Sequence, residues 1–387
     1  PIVFISVFFS TNIYDVVVFF FVFFFQAEDG IRDLVRSRGL GDVYKRQPLS
    51  REHLPKPALR LYGDKSMFEI AVERLLPLFS PEQILVVASA DHNRVLHEQV
   101  PSIPEDNFIV EPEGRGTAPA IGLAAIHLQA RDPDATMAVL TADHIIGKPD
   151  VFRSVIRSAL AFAKDDYLVT LGIKPTWPST AYGYIEQADL LGEKLGFKAY
   201  AAARFVEKPN AQNAQRMLSL GKYSWNSGMF IWKVGRIMEE FREQMPDLCD
   251  RLLRIAKAIG TDDYDTVLRD LWKGIAKQTI DYGIMENAKR VIVLPADMDW
   301  LDVGTWSSLK TVLDSDEKGN SKSGDVILWD SENSMVISSK RLVAGIGLEN
   351  LIIVDTRDAL LVCHMDRAGD VKAFVENLKE LGRQDLA

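Results

Sequence analysis

Asp143 is the first residue whose type and position suggest chemistry. It stands in residues 137–144, Met-Ala-Val-Leu-Thr-Ala-Asp-His, an apolar run with proline and glycine turn signals around it. Such a run predicts a buried strand that ends at the acid. Ligands of an open parallel sheet bind at the carboxyl ends of its strands, where a carboxylate can hold a metal ion. Taken alone, however, an acid that ends a strand is more often part of an ordinary turn.

Two loops carry groups that suit a phosphorylated ligand. Lys56 stands between two prolines, and a rigid loop that aims an ammonium suits phosphate binding, although an isolated loop lysine is usually just solvated. Residues 111–120 follow a short predicted strand and contain two glycines. Thr117 can cap a helix there, so that free backbone N–H groups face a ligand above the loop. A flexible strand-to-helix turn would explain the same residues.

Further candidates lie in short extended segments that carry a polar group where an apolar one would pack better. Two of these segments are residues 180–186 and 204–209. In residues 225–232 the apolar half predicts a strand, with Asn226 at its mouth. Asp302 stands shortly before a glycine and a predicted helix start, and it gives a second carboxylate in a loop.

Length and composition are those of an ordinary soluble enzyme. The 387 residues, of which 47% are hydrophobic and 26% charged, suffice for one large core and a smaller second domain. The net charge of -9 disfavours a nucleic-acid partner but leaves room for a local basic nucleotide pocket. Cys249 and Cys363 are far apart and lack metal-type spacing, which predicts two buried thiols in a reducing cytoplasm.

The elements that must position these residues follow two patterns. From Ser66 onward, amphipathic helical stretches alternate with buried apolar runs such as residues 84–88, which predicts an α/β fold with a parallel sheet. From Gly324 the runs become short and closely spaced, which predicts stacked short strands without crossover helices. The closing helix is expected to present one apolar face made of Val371, Phe374, Val375 and Leu378.

Residues 1–47 depart from this organisation. Residues 16–25 form a phenylalanine-rich run, but polar residues interrupt the segment before it, so a membrane span fits poorly. A secretory signal is also unconvincing, because no basic region precedes the run. Residues 26–47 look like translated sequencing-adapter read-through. We therefore expect residues 1–47 to be a non-native or disordered segment, with a genuine N-terminal anchor as the alternative and no membrane association.

Motifs from Pro48 to nearly the end of the chain resemble, in order, those of the mannose-1-phosphate guanylyltransferase family. They are Pro-Leu-Ser-Arg with Pro-Lys-Pro, Glu-Pro with Thr-Ala-Pro-Ala, Ala-Asp-His, Tyr-Gly-Tyr-Ile-Glu, Val-Glu-Lys-Pro, Trp-Asn-Ser-Gly-Met-Phe and Asp-Val-Gly-Thr-Trp. The resemblance implies an α/β fold, with a Rossmann-like nucleotidyltransferase domain and a mixed, mostly parallel sheet over residues 48–315. It also implies a small left-handed β-helix domain over residues 316–387.

The resemblance further implies roles for individual residues. Asp143 and Asp302 would share Mg²⁺, the expected cofactor. The catalytic residues would be Lys56, Asp143, Lys208 and Asp302. The nucleotide-binding residues would be Arg51, Lys56, Glu111, Arg115, Thr117 and Ala118. The sugar phosphate would be held by Gly183, Glu207, Lys208 and Asn226.

The implied reaction is in-line attack by an oxygen of mannose 1-phosphate on the α-phosphorus of GTP, which releases pyrophosphate and GDP-mannose. Two alternatives stay open. One is a nucleotidyltransferase for another sugar 1-phosphate, and the other is an inactive homologue that binds sugar phosphate. The protein would work in the cytoplasm, with a homodimer as the assembly to test.

One departure from the family concerns the phosphate-binding loop. The family has a strand and a Gly-Gly-x-Gly-Thr-Arg-Leu loop directly before Pro-Leu-Ser-Arg, and residues 40–47 differ from that loop. Val43 and Tyr44 are bulky where the backbone must approach a triphosphate. The phenylalanine-rich run could occupy the slot of the strand, because a buried parallel strand is apolar throughout. We nevertheless expect little or no guanylyltransferase activity from this chain.

Overall fold

The computed structural model describes residues 16–21, 48–49, 54–61, 63–303 and 306–383, with the backbone alone at 16–21. The strands in these ranges are β1 Val16–Phe21, β2 Ile84–Ala88, β3 Phe108–Val110, β4 Thr136–Thr141, β5 His144–Ile146, β6 Leu168–Ile173, β7 Tyr184–Lys194, β8 Phe197–Val206, β9 Tyr223–Lys233, β10 Val291–Ala296, β11 Trp300–Asp302, β12 Ser321–Ser323, β13 Val326–Trp329, β14 Met335–Ser338, β15 Val343–Ile346, β16 Leu351–Asp355 and β17 Leu360–His364. The helices are α1 Met67–Leu75, α2 Ala90–Gln99, α3 Thr117–Arg131, α4 Pro149–Ala163, α5 Ala211–Leu220, α6 Val234–Gln244, α7 Pro246–Ala256, α8 Tyr264–Trp272, α9 Trp306–Lys310 and α10 Val371–Glu380. A π-helical turn, Asp281–Met285, lies between α8 and β10.

A nine-stranded sheet in the order β3-β2-β1-β4-β9-β6-β10-β8-β7 forms the centre of the molecule. Strands β3, β2, β1 and β4 pair in parallel, as do β6 and β10. Strands β8 and β9 run antiparallel to their neighbours. The predicted α/β architecture with a mixed sheet is therefore confirmed, and β8 and β9 are the strands that oppose the common direction.

Helices cover both faces of this sheet, which explains why its inner strands are apolar on both sides. On one face, α1, α2 and α4 pack over Val86 and Leu140. On the other face, α3, α6, α7 and α8 pack over Val87 and Val139. Burial of one such aliphatic side chain contributes about 1.5–3 kcal/mol relative to exposure. The two-sided core thus holds the carboxyl edge of the strands in place.

Strand β1 lies between β2 and β4. Its last residue, Phe21, is aligned with Thr141, so β1 and β4 end at the same edge of the sheet. Residues 16–21 of the phenylalanine-rich run therefore occupy the slot that we considered for the run. The rest of residues 1–47 lies outside the described residues, and its non-native origin stays a prediction.

Strands β12 to β17 form a separate unit of short stacked strands. β12, β14 and β16 pair in parallel, β17 adds an antiparallel edge, and β13 pairs with β15 in a second parallel sheet. Residues 321–364 are described throughout and contain no helix, so the predicted stacking without crossover helices is confirmed. Asn333 and Asn350 hydrogen-bond to each other through their side-chain amides. The left-handed sense of this unit stays an expectation from the resemblance.

A third apolar cluster joins the β-helical unit to the sheet domain. It combines Met335 and Ile352 from the short strands with Trp306 of α9 and with Leu59, which precedes α1. The two units therefore share buried surface. Trp306 follows Asp302 by only a few residues, so the docking cluster begins close in the sequence to the predicted site.

The expectations for the closing helix and for the two cysteines are met in part. Val371 and Val375 of α10 are buried as predicted, but Phe374 is 57% exposed, so the predicted apolar face is wrong at that position. Cys249 is buried whereas Cys363 is half-buried, so the prediction of two buried thiols holds for the first alone. No helix in the described ranges is long and apolar enough to cross a membrane.

Candidate active site

Lys56, Asp143 and Asp302 meet at the carboxyl edge of the sheet. Asp143 lies between β4 and β5, and the antiparallel pairing of β5 with β11 places Asp302 opposite His144. The Lys56 ammonium donates a hydrogen bond to the Asp143 carboxylate and lies 3.5 Å from Asp302 Oδ1. The structure therefore brings these three predicted residues together. Asp302 ends a short strand, so the prediction that it stands in a loop is wrong.

His144 and Arg74 support this cluster, although we did not select them from the sequence. The Trp300 indole N–H donates to His144 Nδ1 at 3.0 Å, which leaves the proton of a neutral imidazole on Nε2. That Nε2 lies 3.9 Å from Asp143 Oδ1. Burial lowers the pKa of His144 and so favours the neutral ring. Arg74 is buried, and it donates to the His144 carbonyl at 3.3 Å.

The two carboxylates suit a divalent cation whose coordination a phosphorylated ligand completes. Asp143 and Asp302 both face the Lys56 ammonium, so a positive charge already lies between them. Across the described ranges, no three His, Cys, Asp or Glu side chains gather into a metal site of their own. Mg²⁺ is commonly held by one or two carboxylates with phosphate and water oxygens, at about 2.0–2.1 Å. The donors present fit that arrangement and not a cage built by protein alone.

Gly183, Glu207 and Asn226 form a second cluster. The backbone N–H of Asn226 donates to the Gly183 carbonyl at 2.8 Å. A Cβ at Gly183 would stand 2.3 Å from Glu207 Oε2 and 3.4 Å from Asn226 Cβ, so a side chain there would displace the Glu207 carboxylate. Asn226 lies within β9 and not at its mouth, which corrects the prediction. The structure thus gathers three of the residues predicted for the sugar phosphate.

Lys208 completes this second cluster. Its backbone is left-handed, with φ 44°, a strained conformation that is typical of functional sites when a side chain is present. The Lys208 ammonium lies 3.8 Å from Glu207 Oε1. Burial, reinforced by the charge of Asp281 and opposed by that of Lys208, raises the pKa of Glu207 to about 7. Glu207 therefore changes its protonation near neutral pH.

Asp281 belongs to the same cluster and is a residue that sequence reasoning missed. The Asn226 Nδ2 donates to Asp281 Oδ1 at 2.7 Å. Burial raises the pKa of Asp281, whereas its hydrogen bond from Asn226 lowers it. The sequence around this acid is rich in helical periods, and such a pattern does not single out Asp281 as a site residue. It begins a π-helical turn, a feature that is frequent at functional sites.

Glu111 and Arg115 shape the loop that leads into α3. The Glu111 carboxylate accepts a hydrogen bond from the Arg115 backbone N–H at 3.0 Å. Burial raises the pKa of Glu111 to about 7. The Arg115 guanidinium donates to Glu113 at 2.7 Å and to the Lys273 carbonyl at 3.3 Å. These contacts hold the loop against the segment that follows α8.

The start of α3 differs from the prediction. Gly116 is the N-cap and Thr117 is the first helical residue, so the prediction that Thr117 caps the helix is wrong. Instead, Thr117 Oγ1 accepts from the Ile280 N–H at 2.5 Å, and the Ala118 N–H donates to the Gln278 carbonyl at 3.1 Å. The Ala118 N–H therefore serves the protein and does not face a ligand. Arg51 lies outside the described residues, and its predicted role is untested.

Aromatic side chains connect the two clusters. The Tyr182 ring lies 5.1 Å from the Trp225 ring and 5.3 Å from the Trp300 ring, measured between centroids. Burial and the charge of Asp302 raise the pKa of the Tyr182 hydroxyl. Tyr182, the residue before Gly183, is thus close enough to Asp302 to respond to its charge. The spacing of aromatic residues in the sequence does not by itself distinguish a site wall from core packing.

Two family models cover most of the chain. Residues 45–319 match a model described as nucleotidyl transferase. Residues 324–378 match a model described as a MannoseP isomerase/GMP-like beta-helix domain. The prediction of a nucleotidyltransferase domain followed by a β-helix domain is therefore confirmed, while the boundary between residues 315 and 316 stays a prediction.

Named relatives extend over the same region. The mannose-1-phosphate guanylyltransferase of Klebsiella pneumoniae is 40% identical over 341 residues, which cover 87% of this chain and 72% of that protein. The Escherichia coli K12 protein of the same name is 36% identical over 365 residues, which cover 93% and 76%. A solved structure from Thermus thermophilus, described as mannose-1-phosphate geranyltransferase, has a TM-score of 0.80 at 29% identity and covers 94% of this chain and 99% of that one. With a family model over more than half its length and relatives at this identity, the chain belongs to the mannose-1-phosphate guanylyltransferase family.

Proposed function

We propose that the site of this chain transfers GMP from GTP to α-D-mannose 1-phosphate, with GDP-mannose and pyrophosphate as products. The observation that carries the proposal is the convergence of Lys56, Asp143 and Asp302 at one sheet edge. A phosphate-rich substrate needs such a pairing of an ammonium with carboxylates that can hold a metal ion. The names of the relatives supply the substrates.

The reaction asks for positioning and charge neutralisation and for little covalent chemistry. An oxygen of the mannose 1-phosphate forms a bond to the α-phosphorus of GTP, and the bond from that phosphorus to the bridging oxygen of pyrophosphate breaks. Lys56 neutralises phosphate charge as this happens. Asp143 and Asp302 would hold Mg²⁺, which when bound neutralises further phosphate charge and orders the oxygens around it. Lys208 would hold the phosphate of the sugar in line for attack.

The two substrates would occupy opposite sides of this cluster. Glu111, Arg115, Thr117 and Ala118, together with Arg51, would border the nucleotide. On the acceptor side, Gly183 leaves room for the sugar, while Glu207 and Asn226 offer a carboxylate and an amide to its hydroxyl groups. This placement is supported by the hydrogen bond from the Asn226 backbone N–H to the Gly183 carbonyl, and by the close approach of Glu207 Oε2 to the position that a Cβ of residue 183 would take.

The same proposal has consequences for the cellular location, the partners and the assembly of the protein. GTP and sugar phosphates are cytoplasmic metabolites, and the chain carries two free thiols, so we propose a cytoplasmic enzyme without nucleic-acid or membrane partners. A homodimer is proposed as its assembly, and light scattering coupled to gel filtration measures this directly.

The test is a panel that crosses GTP, UTP and dTTP with mannose 1-phosphate and glucose 1-phosphate, with pyrophosphate release as the readout. Because the chain lacks the family's glycine-rich loop, the panel includes a loop graft, in which residues 1–47 are replaced by a strand followed by Gly-Gly-Ser-Gly-Thr-Arg-Leu-Trp. We expect the loop graft to prefer GTP with mannose 1-phosphate. A preference for another pair would establish a different sugar nucleotidyltransferase.

A further inference from the structure

The segment of residues 278–281 contacts both sides of the proposed site. On the nucleotide side, the Gln278 carbonyl accepts from the Ala118 N–H at 3.1 Å. The Ile280 N–H donates to Thr117 Oγ1 at 2.5 Å. Three residues after Gln278 the chain reaches Asp281, whose carboxylate contacts the acceptor side. One short segment thus links the start of α3 to the pocket proposed for the sugar.

The contact on the acceptor side fixes the amide of Asn226 at both of its ends. Asn226 Nδ2 donates to Asp281 Oδ1 at 2.7 Å, and Asn226 Oδ1 accepts from the Gly228 N–H at 3.1 Å. An asparagine amide has two N–H donors and an oxygen with two lone pairs. One N–H and one oxygen lone pair of the Asn226 amide are therefore used by these protein contacts. The second N–H and the second lone pair are the groups that we expect to bind hydroxyl groups of a ligand.

We propose that Asp281 is a positioning residue for the acceptor, which acts by holding the Asn226 amide in the one orientation that presents a donor and an acceptor to the sugar. This inference rests on the proposed function of the site. In this proposal Asp281 does not itself contact the substrate.

The first test measures binding of α-D-mannose 1-phosphate by titration calorimetry. Asp281→Ala removes the acceptor for Asn226 Nδ2, and we expect Kd to rise about tenfold, as for loss of one hydrogen bond with a charged partner. Asp281→Asn keeps an oxygen of the same reach and should restore most of the affinity. Asp262→Ala removes an exposed aspartate between α7 and α8 and is the matched control, with no expected change.

A double-mutant cycle with Asn226→Ala separates positioning from a merely structural role. If Asp281 acts through Asn226, Asp281→Ala should add less than about a twofold change in Kd once Asn226 is alanine. The same tenfold loss in both backgrounds would overturn the proposal, as would unchanged affinity in the single variant. Binding of GTP by the same variants of the loop graft reports whether the nucleotide side has collapsed.

A second measurement keeps the inference distinct from the proposed function. Protein with ¹⁵N-labelled asparagine shows the side-chain amide resonances, and the resonance absent from Asn226→Ala is that of Asn226. We expect this resonance to move in Asp281→Ala and to stay near its position in Asp281→Asn, without any ligand. If the wild-type chain bound no hexose 1-phosphate, the proposed function would fail, whereas an unmoved resonance would overturn the role of Asp281.

Discussion

The acceptor side and the nucleotide side of the site differ in how many of the residues expected for the family are present. On the acceptor side, Gly183, Glu207, Asn226 and Asp281 are joined by contacts among themselves. On the nucleotide side, strand β1 ends at the same edge of the sheet as β4. Residues 22–47, however, contain no Gly-Gly-x-Gly-Thr-Arg-Leu sequence. A binding pocket for one substrate can therefore persist where the groups for the other are lacking. Binding and turnover should separate in this chain.

The largest effect is expected from restoring the loop. Backbone N–H groups and the arginine of a glycine-rich loop stabilise a triphosphate, and loss of one preorganised donor of this kind costs about 2.7–4 kcal/mol. Several such donors are lost together, so the loop graft should exceed the 387-residue chain in turnover by more than about 10³-fold. A control graft with the same strand and a serine-alanine linker of equal length isolates the loop from the strand. Equal pyrophosphate release by the chain and the loop graft would refute this account of residues 1–47.

The next effect concerns Asp302, one of the two carboxylates proposed to hold Mg²⁺. In the loop graft, Asp302→Asn keeps the volume but removes one carboxylate charge that faces Lys56. We expect turnover at a fixed Mg²⁺ concentration to fall by about 10²-fold, with partial recovery at higher Mg²⁺. Asp297→Asn is the matched control, because this exposed aspartate pairs with Lys148 away from the cluster. A similar loss in both variants would show that Asp302 has no special role.

A smaller effect is expected from filling the acceptor pocket. Gly183→Ala introduces a Cβ that would stand 2.3 Å from Glu207 Oε2, and relief of that contact requires Glu207 to leave its position. In the loop graft, the Kd for mannose 1-phosphate should rise about tenfold while GTP binding stays unchanged. Gly235→Ala serves as the control, because a Cβ there meets nothing within 4 Å. Equal effects on both ligands would contradict the separation of the two sides.

The smallest effect is a pH dependence of stability. The pKa of Glu207 is raised from 4.5 to about 7, so the folded protein binds more protons than the unfolded chain between these values. The contribution of Glu207 to stability therefore falls as pH rises from about 4.5 to about 7 and is level above. Glu111 acts in the same direction. Thermal unfolding of Glu207→Gln across this range should show a weaker decline than the wild type, and an identical pH profile would refute the shift.

Local sequence was sufficient for residues that stand beside a strand end or in a tight loop. Asp143 follows β4, Gly183 precedes β7, and Lys56 begins a short 3-10 helical turn, which brings its ammonium to Asp143. Asp281 could not be found in this way. Its position depends on the π-helical turn that packs against the start of α3, and this contact joins residues 163 apart in the chain.

The same reason explains two other misses. The tautomer of His144 depends on Trp300, which is 156 residues away in the sequence. The start of α3 was predicted from Thr117 as a local cap, but the threonine hydroxyl is used by Ile280, a partner that no local pattern reveals. Contacts of this kind are set by tertiary packing, so they follow from the fold and not from the spacing of residue types.

The central claim is that the 387-residue chain keeps a working acceptor site while it lacks the means to activate the nucleotide. Titration of mannose 1-phosphate into the chain and into the loop graft tests this claim most directly, because the residues of the acceptor cluster are the same in both. We predict Kd values that agree within about threefold, together with the large difference in turnover. Binding by the loop graft with no binding by the 387-residue chain would contradict the account.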